Sequence, residues 1–139
     1  RMSEEIKIQI GTAMLPSSAK GTFSRKMEIR GRDSINGLPR MMEITSEEVS
    51  LAIQNPLNQI ISGIKTILEN TPPELASDII DKGIMLSGGT ALLRNLDKLI
   101  ISATGVPVHV AEDPLLCVVR GTGVALENID LYKRSIARR

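Results

Sequence analysis

The sequence predicts an α/β fold, and three stretches carry that prediction. Residues 83–96 read GIMLSGGTALLRNL: a continuous apolar run, Ile84, Met85 and Leu86, stops at Gly88-Gly89 and resumes with leucines at a different spacing. That is the pattern of a strand covered on both faces that feeds a helix. VPVHV follows from Val106 as a further strand, so the unit reads β-α-β. A right-handed crossover then makes the two strands parallel and puts the loop after the first one at the carboxyl edge of the sheet, where open α/β sheets take ligands. Separately, RKMEIRGR and PRMMEIT alternate apolar with charged residues on either side of DSINGL, whose Asn36-Gly37 pair predicts a hairpin turn.

Taken in order, the chain opens with Glu4, Glu5 and Lys7 interleaved with Ile6, Ile8 and Ile10, as if an element were already under way. Met2 is not first and there is no secretory pattern, so a piece of a longer protein is expected. Residues 11–24 (GTAMLPSSAKGTFS) read as a surface loop. After the hairpin, Thr45 with Glu48 three residues on matches a capping box and starts a helix. A break is expected at Asn55-Pro56, with Pro56 opening a second helix whose Leu57, Ile60, Ile61, Ile64, Ile67 and Leu68 form a core-facing stripe. Pro72-Pro73 stops it, and Pro73 opens a short helix with Leu75, Ala76, Ile79 and Ile80 on one side and Gly83 at its end. Beyond the Gly-Gly break, Leu92, Leu93, Leu96, Leu99 and Ile100 predict an amphipathic helix with free amides from Thr90 onward. Residues 115–129 are helical by composition, with Gly121 and Gly123 inside, and the chain ends LYKRSIARR.

Composition removes several function classes. Seventeen basic and sixteen acidic residues leave a net charge of +1, so no global field draws polyanions, which argues against nucleic acid as a partner. Phe23 and Tyr132 are the only aromatics, too few for a base-stacking platform. Cys117 and His109 each stand alone, which leaves no disulfide, no His-based zinc site and no metal ligand set.

The chemistry therefore centres on the glycine break. A residue without Cβ lets backbone amides approach a ligand closely, and the start of a helix presents partial positive charge suited to phosphate oxygens or ribose hydroxyls. Neither GxxxxGK[ST] nor GxGxxG occurs at this turn, so phosphates are not held by those devices, and a tight turn needed only for steric reasons explains the glycines equally well.

The stretches EEIKIQIG, IRGRDSINGLPR, TPPELASDIIDKGIMLSGGTALLRNLDKLI and VAEDPLLCVVRGTGVALE, in this order and over nearly the whole chain, resemble the second large domain of the bacterial actin-like cell-shape proteins of the MreB type. The resemblance implies an actin-like α/β fold of the ribonuclease H and sugar-kinase superfold, with a small α+β subdomain and ATP in a cleft between two large domains. It divides the chain into residues 1–15, a small hairpin-plus-helices subdomain at 16–80, and 81–139, which returns to the adenosine side. It further implies that Gly88, Gly89, Thr90 and Ala91 form the adenosine turn, with Thr90 standing where most members have a third glycine, and that Glu4 and Lys7 are the Glu-x-x-Lys pair beside the nucleoside. Without the resemblance, Glu4 and Lys7 read as an exposed i,i+3 ion pair. CVVRGTGVALE looks like the second connecting helix, where Gly121, Gly123 and Ala125 allow close helix contact.

The phosphate-binding hairpins and magnesium ligands of such proteins lie before Glu4 in a complete member, so this chain is not expected to hydrolyse ATP. Filament self-association involving the hairpin, contact with cell-wall synthesis and membrane proteins, and a cytoplasmic place at the inner face of the membrane are likewise implied by the resemblance. Two other readings compete: a domain of a small-molecule kinase of the same superfold, and an interaction module that binds no nucleotide. The remaining reactive-looking residues have plainer readings. His109 is expected to face away from the valines' buried side, Cys117 to be a small buried hydrophobe, Asp78 and Asp81 to be a solvated helix face, and Lys133, Arg134, Arg138 and Arg139 a solvated tail.

Overall fold

The computed structural model describes residues 2–15 and 25–136, with side chains through Lys133; most of the expected loop at 11–24, together with Arg138 and Arg139, lies outside the described residues. The chain begins with helix α1 (Met2–Ile10), followed by the hairpin strands β1 (Lys26–Arg32) and β2 (Pro39–Thr45) and the long helix α2 (Ser46–Glu69). Helix α3 (Pro73–Lys82), strand β3 (Ile84–Leu86), helix α4 (Leu96–Thr104), strand β4 (Val108–Val110), and helices α5 (Cys117–Glu127) and α6 (Ile129–Ile136) complete it. Among the described residues no helix is long and apolar enough to cross a membrane.

The hairpin forms where the alternation places it, antiparallel with Met27 opposite Ile44 and Ile29 opposite Met42. Its turn is fixed by Asp33, whose Oδ1 accepts from the Ile35 amide at 2.8 Å, and by Gly37 at φ 72°. The capping box is also realised. The Thr45 amide donates to Glu48 Oε2 at 2.8 Å while Thr45 Oγ1 accepts from the Glu48 amide at 3.3 Å. Accepting the Thr45 amide proton, and secondarily that of the Thr45 hydroxyl, holds the Glu48 carboxyl below its ordinary range.

The expected break at Asn55-Pro56 does not occur: α2 runs through Pro56 for 24 residues. Val49, Ile53, Leu57, Ile61 and Ile64 keep one phase on both sides of the proline, and burying that stripe offsets the roughly 3 kcal/mol that an interior proline costs. The covered stripe is narrower than expected, and Ile60 and Ile67 lie beside it in solvent. Helix α3 likewise leaves Leu75 and Ile80 exposed and buries no residue fully.

Strands β3 and β4 are parallel, Ile84 opposite Val108 and Leu86 opposite Val110, so the β-α-β unit stands. Gly83 makes the join possible: it has φ 77°, and a Cβ there would come within 2.6 Å of the Pro107 carbonyl oxygen. The core lies between α2, α4 and this sheet, around Ile100 at 1% exposure with Ala13, Leu57, Leu96 and Val108. Full cover of β3 is the expectation that fails. Ile84 and Leu86 pack on the core, but Met85 points the other way at 64% exposure, because nothing among the described residues covers that face.

The helix expected directly after the glycines is also displaced. Gly89–Leu92 form a 3₁₀ turn, and α4 starts only at Leu96, after Asn95 in the left-handed region at φ 59°. Of the plainly read residues, His109 is exposed as expected, and Asp78 pairs with Lys82 on the solvated face of α3. Cys117 is half-buried, its thiol donating to the Asp113 carbonyl at 3.6 Å.

Candidate functional site

Strand β3 stops because Gly88 turns the chain. Its φ of 84° with ψ of 173° is a conformation that essentially only glycine adopts, and a Cβ there would meet nothing within 4 Å. The Gly88 amide donates to the Pro114 carbonyl at 2.7 Å, tying the turn to the segment that leads into α5. Its carbonyl accepts from the Ala91 amide at 3.2 Å, the first bond of the 3₁₀ turn. The amides of Gly89 and Thr90 precede that bond and have no partner within the turn. The amides next to the glycines thus belong to a short 3₁₀ turn and not to the start of α4, which begins at Leu96.

Facing this turn across a cavity of about 640 Å³ is α1. Its Glu4, Lys7 and Ile8 line the cavity together with Gly89, Thr90, Leu92, Leu93, Arg94 and Leu115. The volume falls in the usual range of small-molecule sites, and the lining combines an apolar slot (Ile8, Leu92, Leu93, Leu115) with a few polar groups. Glu4 and Lys7 do not pair with each other among the described residues, so neither charge is spent on the other.

The structure therefore brings four of the six sequence-predicted residues, Glu4, Lys7, Gly89 and Thr90, to one cavity. Gly88 stands one residue back with its amide committed, and Ala91 is turned into the interior at 5% exposure, so these two shape the turn from behind. Sequence reasoning missed Ile8, Leu92, Leu93, Leu115 and Arg94 as lining residues, having read Leu92 and Leu93 as the apolar stripe of a helix. The Ile8 and Leu115 side chains read as ordinary apolar positions. Arg94 is 83 and 84 residues from the Gly11 and Ile10 carbonyls it binds, a pairing no local pattern announces.

Arg94 Nε donates to Gly11 O at 3.0 Å and its NH2 to Ile10 O at 2.7 Å. Burial, and secondarily the nearby Arg25 guanidinium, lower the Arg94 pKa from its ordinary value. A second, shallower hollow of about 350 Å³ lies under the hairpin between Ile29, Arg40 and Met42, and none of the predicted site residues reaches it. Chemically, the main cavity offers amide donors, a carboxylate acceptor and an ammonium around an apolar slot, which suits a flat heterocycle carrying hydroxyls or an anion.

A family model described as MreB/Mbl protein matches residues 1–134. The cell shape-determining protein MreB of Escherichia coli (strain K12) is 50% identical over 130 residues, which is 94% of this chain and 36% of that protein. Among solved structures, MreB5 of Spiroplasma citri bound to ADP superposes with a TM-score of 0.82 at 38% identity, covering 98% of this chain and 39% of that one. The same protein bound to AMPPNP gives 0.83 at 37% identity, covering 95% and 38%. The chain thus spans between a third and two fifths of the length of these relatives. With the β-α-β unit, the glycine turn and the hairpin all in place, the chain has the actin-like α/β fold of these proteins and belongs to the MreB/Mbl family.

Proposed function

We propose that this chain supplies the adenosine-holding side of an ATP site in a cell-shape filament protein. The observation that carries this reading is the single cavity shared by Glu4, Lys7, Gly89 and Thr90, residues 82 or more positions apart in the sequence that α1 and the β3–α4 turn bring face to face. The purine would lie in the slot between Ile8, Leu92, Leu93 and Leu115. Lys7 and Glu4 would meet the ribose hydroxyls, and the Gly89 and Thr90 amides the sugar–phosphate edge. Support comes from the two Spiroplasma structures, which are bound to ADP and to AMPPNP.

Among the described residues no group of three or more His, Cys, Asp or Glu side chains could hold a metal ion. The chain's own part is to bind and orient the nucleoside. Assembly into filaments, work with cell-wall synthesis and membrane proteins, and a place at the inner face of the cytoplasmic membrane belong to the same proposal, resting on family membership. Titration of the ¹⁵N-labelled chain with ATP tests the site: the amides of Lys7, Gly89 and Thr90 should move together and saturate. Movement confined to the hairpin hollow, or none at all, would refute it.

A further inference from the structure

Helix α1 carries half of the proposed site, yet only Ile10 of its nine residues is buried. Apolar packing therefore does little to fix where Glu4 and Lys7 stand. Beside its packing on α2 and β1 and a bond from the Arg25 guanidinium to Gln9 O at 3.3 Å, the polar contacts at the end of the helix come mainly from two residues. The Arg94 guanidinium spans the last carbonyls of α1, Ile10 O at 2.7 Å and Gly11 O at 3.0 Å, groups that a helix end leaves without intrahelical partners. A cation at a helix carboxyl terminus also complements the helix dipole. The Arg94 carbonyl accepts from the Ala13 amide at 2.8 Å in a parallel bridge between residues 12 and 94, and the Thr12 hydroxyl shares its one proton between Met14 O at 2.8 Å and Arg94 O at 3.3 Å. Asn95 Nδ2 then donates to Thr12 Oγ1 at 3.0 Å and to Met14 O at 3.2 Å. Residues 10–14 are thus stapled to residues 94–95, which follow directly on Leu93 of the opposite cavity wall.

We propose that Arg94 is the positioning residue of this site: by bridging the Ile10 and Gly11 carbonyls it sets the distance between α1 and the glycine turn, so that Glu4 and Lys7 act on the same ligand as Gly89 and Thr90. This rests on the nucleotide reading above. The planar fork matters as much as the charge, because both carbonyls are met by different nitrogens of one rigid group. A lysine reaches one of them. Arg94 lines the cavity, but its Nε and Nη2 donors are taken up by the carbonyls at the end of α1, so the effect proposed for it passes through Glu4 and Lys7.

Arg94→Met and Arg94→Lys test this in the labelled chain, with far-UV circular dichroism as the folding control. Hydrogen exchange of α1 amides should accelerate about tenfold or more in R94M while α2 and α4 keep their protection. With ATP, the Gly89 and Thr90 amides should still respond, the Glu4 and Lys7 responses should disappear, and the dissociation constant should rise about tenfold. Lys7→Met should weaken binding in the parent chain and have no further effect in the R94M background. R94K should fall between parent and R94M, and it alone carries the test should R94M not fold. Unchanged α1 exchange, or an equal cost of Lys7→Met in both backgrounds, overturns the positioning role. If ATP moves no amide of the parent chain while R94M still loosens α1, the nucleotide reading fails and the positioning role with it, leaving Arg94 a purely structural staple.

Discussion

The two glycines of the turn make separable demands, which gives a sharp test by single methyl groups. Gly88 sits at φ 84°, ψ 173°, with open space where a Cβ would go. Gly88→Ala therefore meets no clash, and its cost is conformational, about 1–3 kcal/mol for a residue in that region. Set against a stability of about 5–15 kcal/mol for a domain, this should lower Tm by roughly 6 °C for each 2 kcal/mol.

Gly89 is not at positive φ, and a Cβ there would meet only Leu115 Cδ2, at 3.3 Å. Leu115 is an exposed, movable side chain, so Gly89→Ala should be neutral in stability or gain up to about 1 kcal/mol from the stiffer unfolded chain. Its methyl would nevertheless stand between the turn and Leu115, both of which line the cavity. Urea denaturation followed by circular dichroism, paired with the ATP titration, reads both effects. Gly88→Ala should lower the denaturation midpoint, whereas Gly89→Ala should hold or slightly raise it and weaken the Thr90 and Lys7 responses about tenfold. Equal destabilisation by the two substitutions, or undiminished ATP response in Gly89→Ala, would show that both glycines serve the bend alone.

Two further outcomes concern the scaffold. Ile100→Ala, at the most buried side chain of the core, should cost about 2–5 kcal/mol in the same urea experiment; a loss under about 1 kcal/mol would place the core elsewhere. Glu48 has a folded-state pKa held below its ordinary value of 4.5, so its contribution is present above that pH and is lost as pH falls through the lower folded value. The stability gap between the parent and Glu48→Ala should therefore be constant near neutrality and narrow as pH drops below about 4.5; a gap unchanged by acidification would contradict the capping geometry.

How much of this was legible in the sequence depended on how local the cause was. The Thr45–Glu48 box and the Asn36-Gly37 turn are settled within six residues or fewer and formed as read. The β-α-β order was equally plain because a Gly-Gly break between two apolar runs has few other uses. Pro56 was misread because the rule against interior prolines is local, whereas the stripe from Val49 to Ile64 that overrides it depends on α4 and the sheet. The start of α4 was placed too early because leucine spacing does not distinguish a 3₁₀ turn from α-helix, and the left-handed residue that separates them is Asn95. In the site, Glu4 and Lys7 were identified by family resemblance and not by their spacing, which an exposed ion pair fits as well. Ile8, Leu115 and Arg94 become visible only when residues 1–14 and 89–115 share one space.

The uninterrupted course of α2 carries a mechanical implication. At 1.5 Å per residue its 24 residues make a rod of about 36 Å that starts at the hairpin and runs along the face of α4. Had the chain hinged at residue 55, a push on the hairpin would have been absorbed there. Instead the helix acts as a lever: load taken up at the hairpin is delivered along α2 to α4, whose leading residues follow the glycine turn.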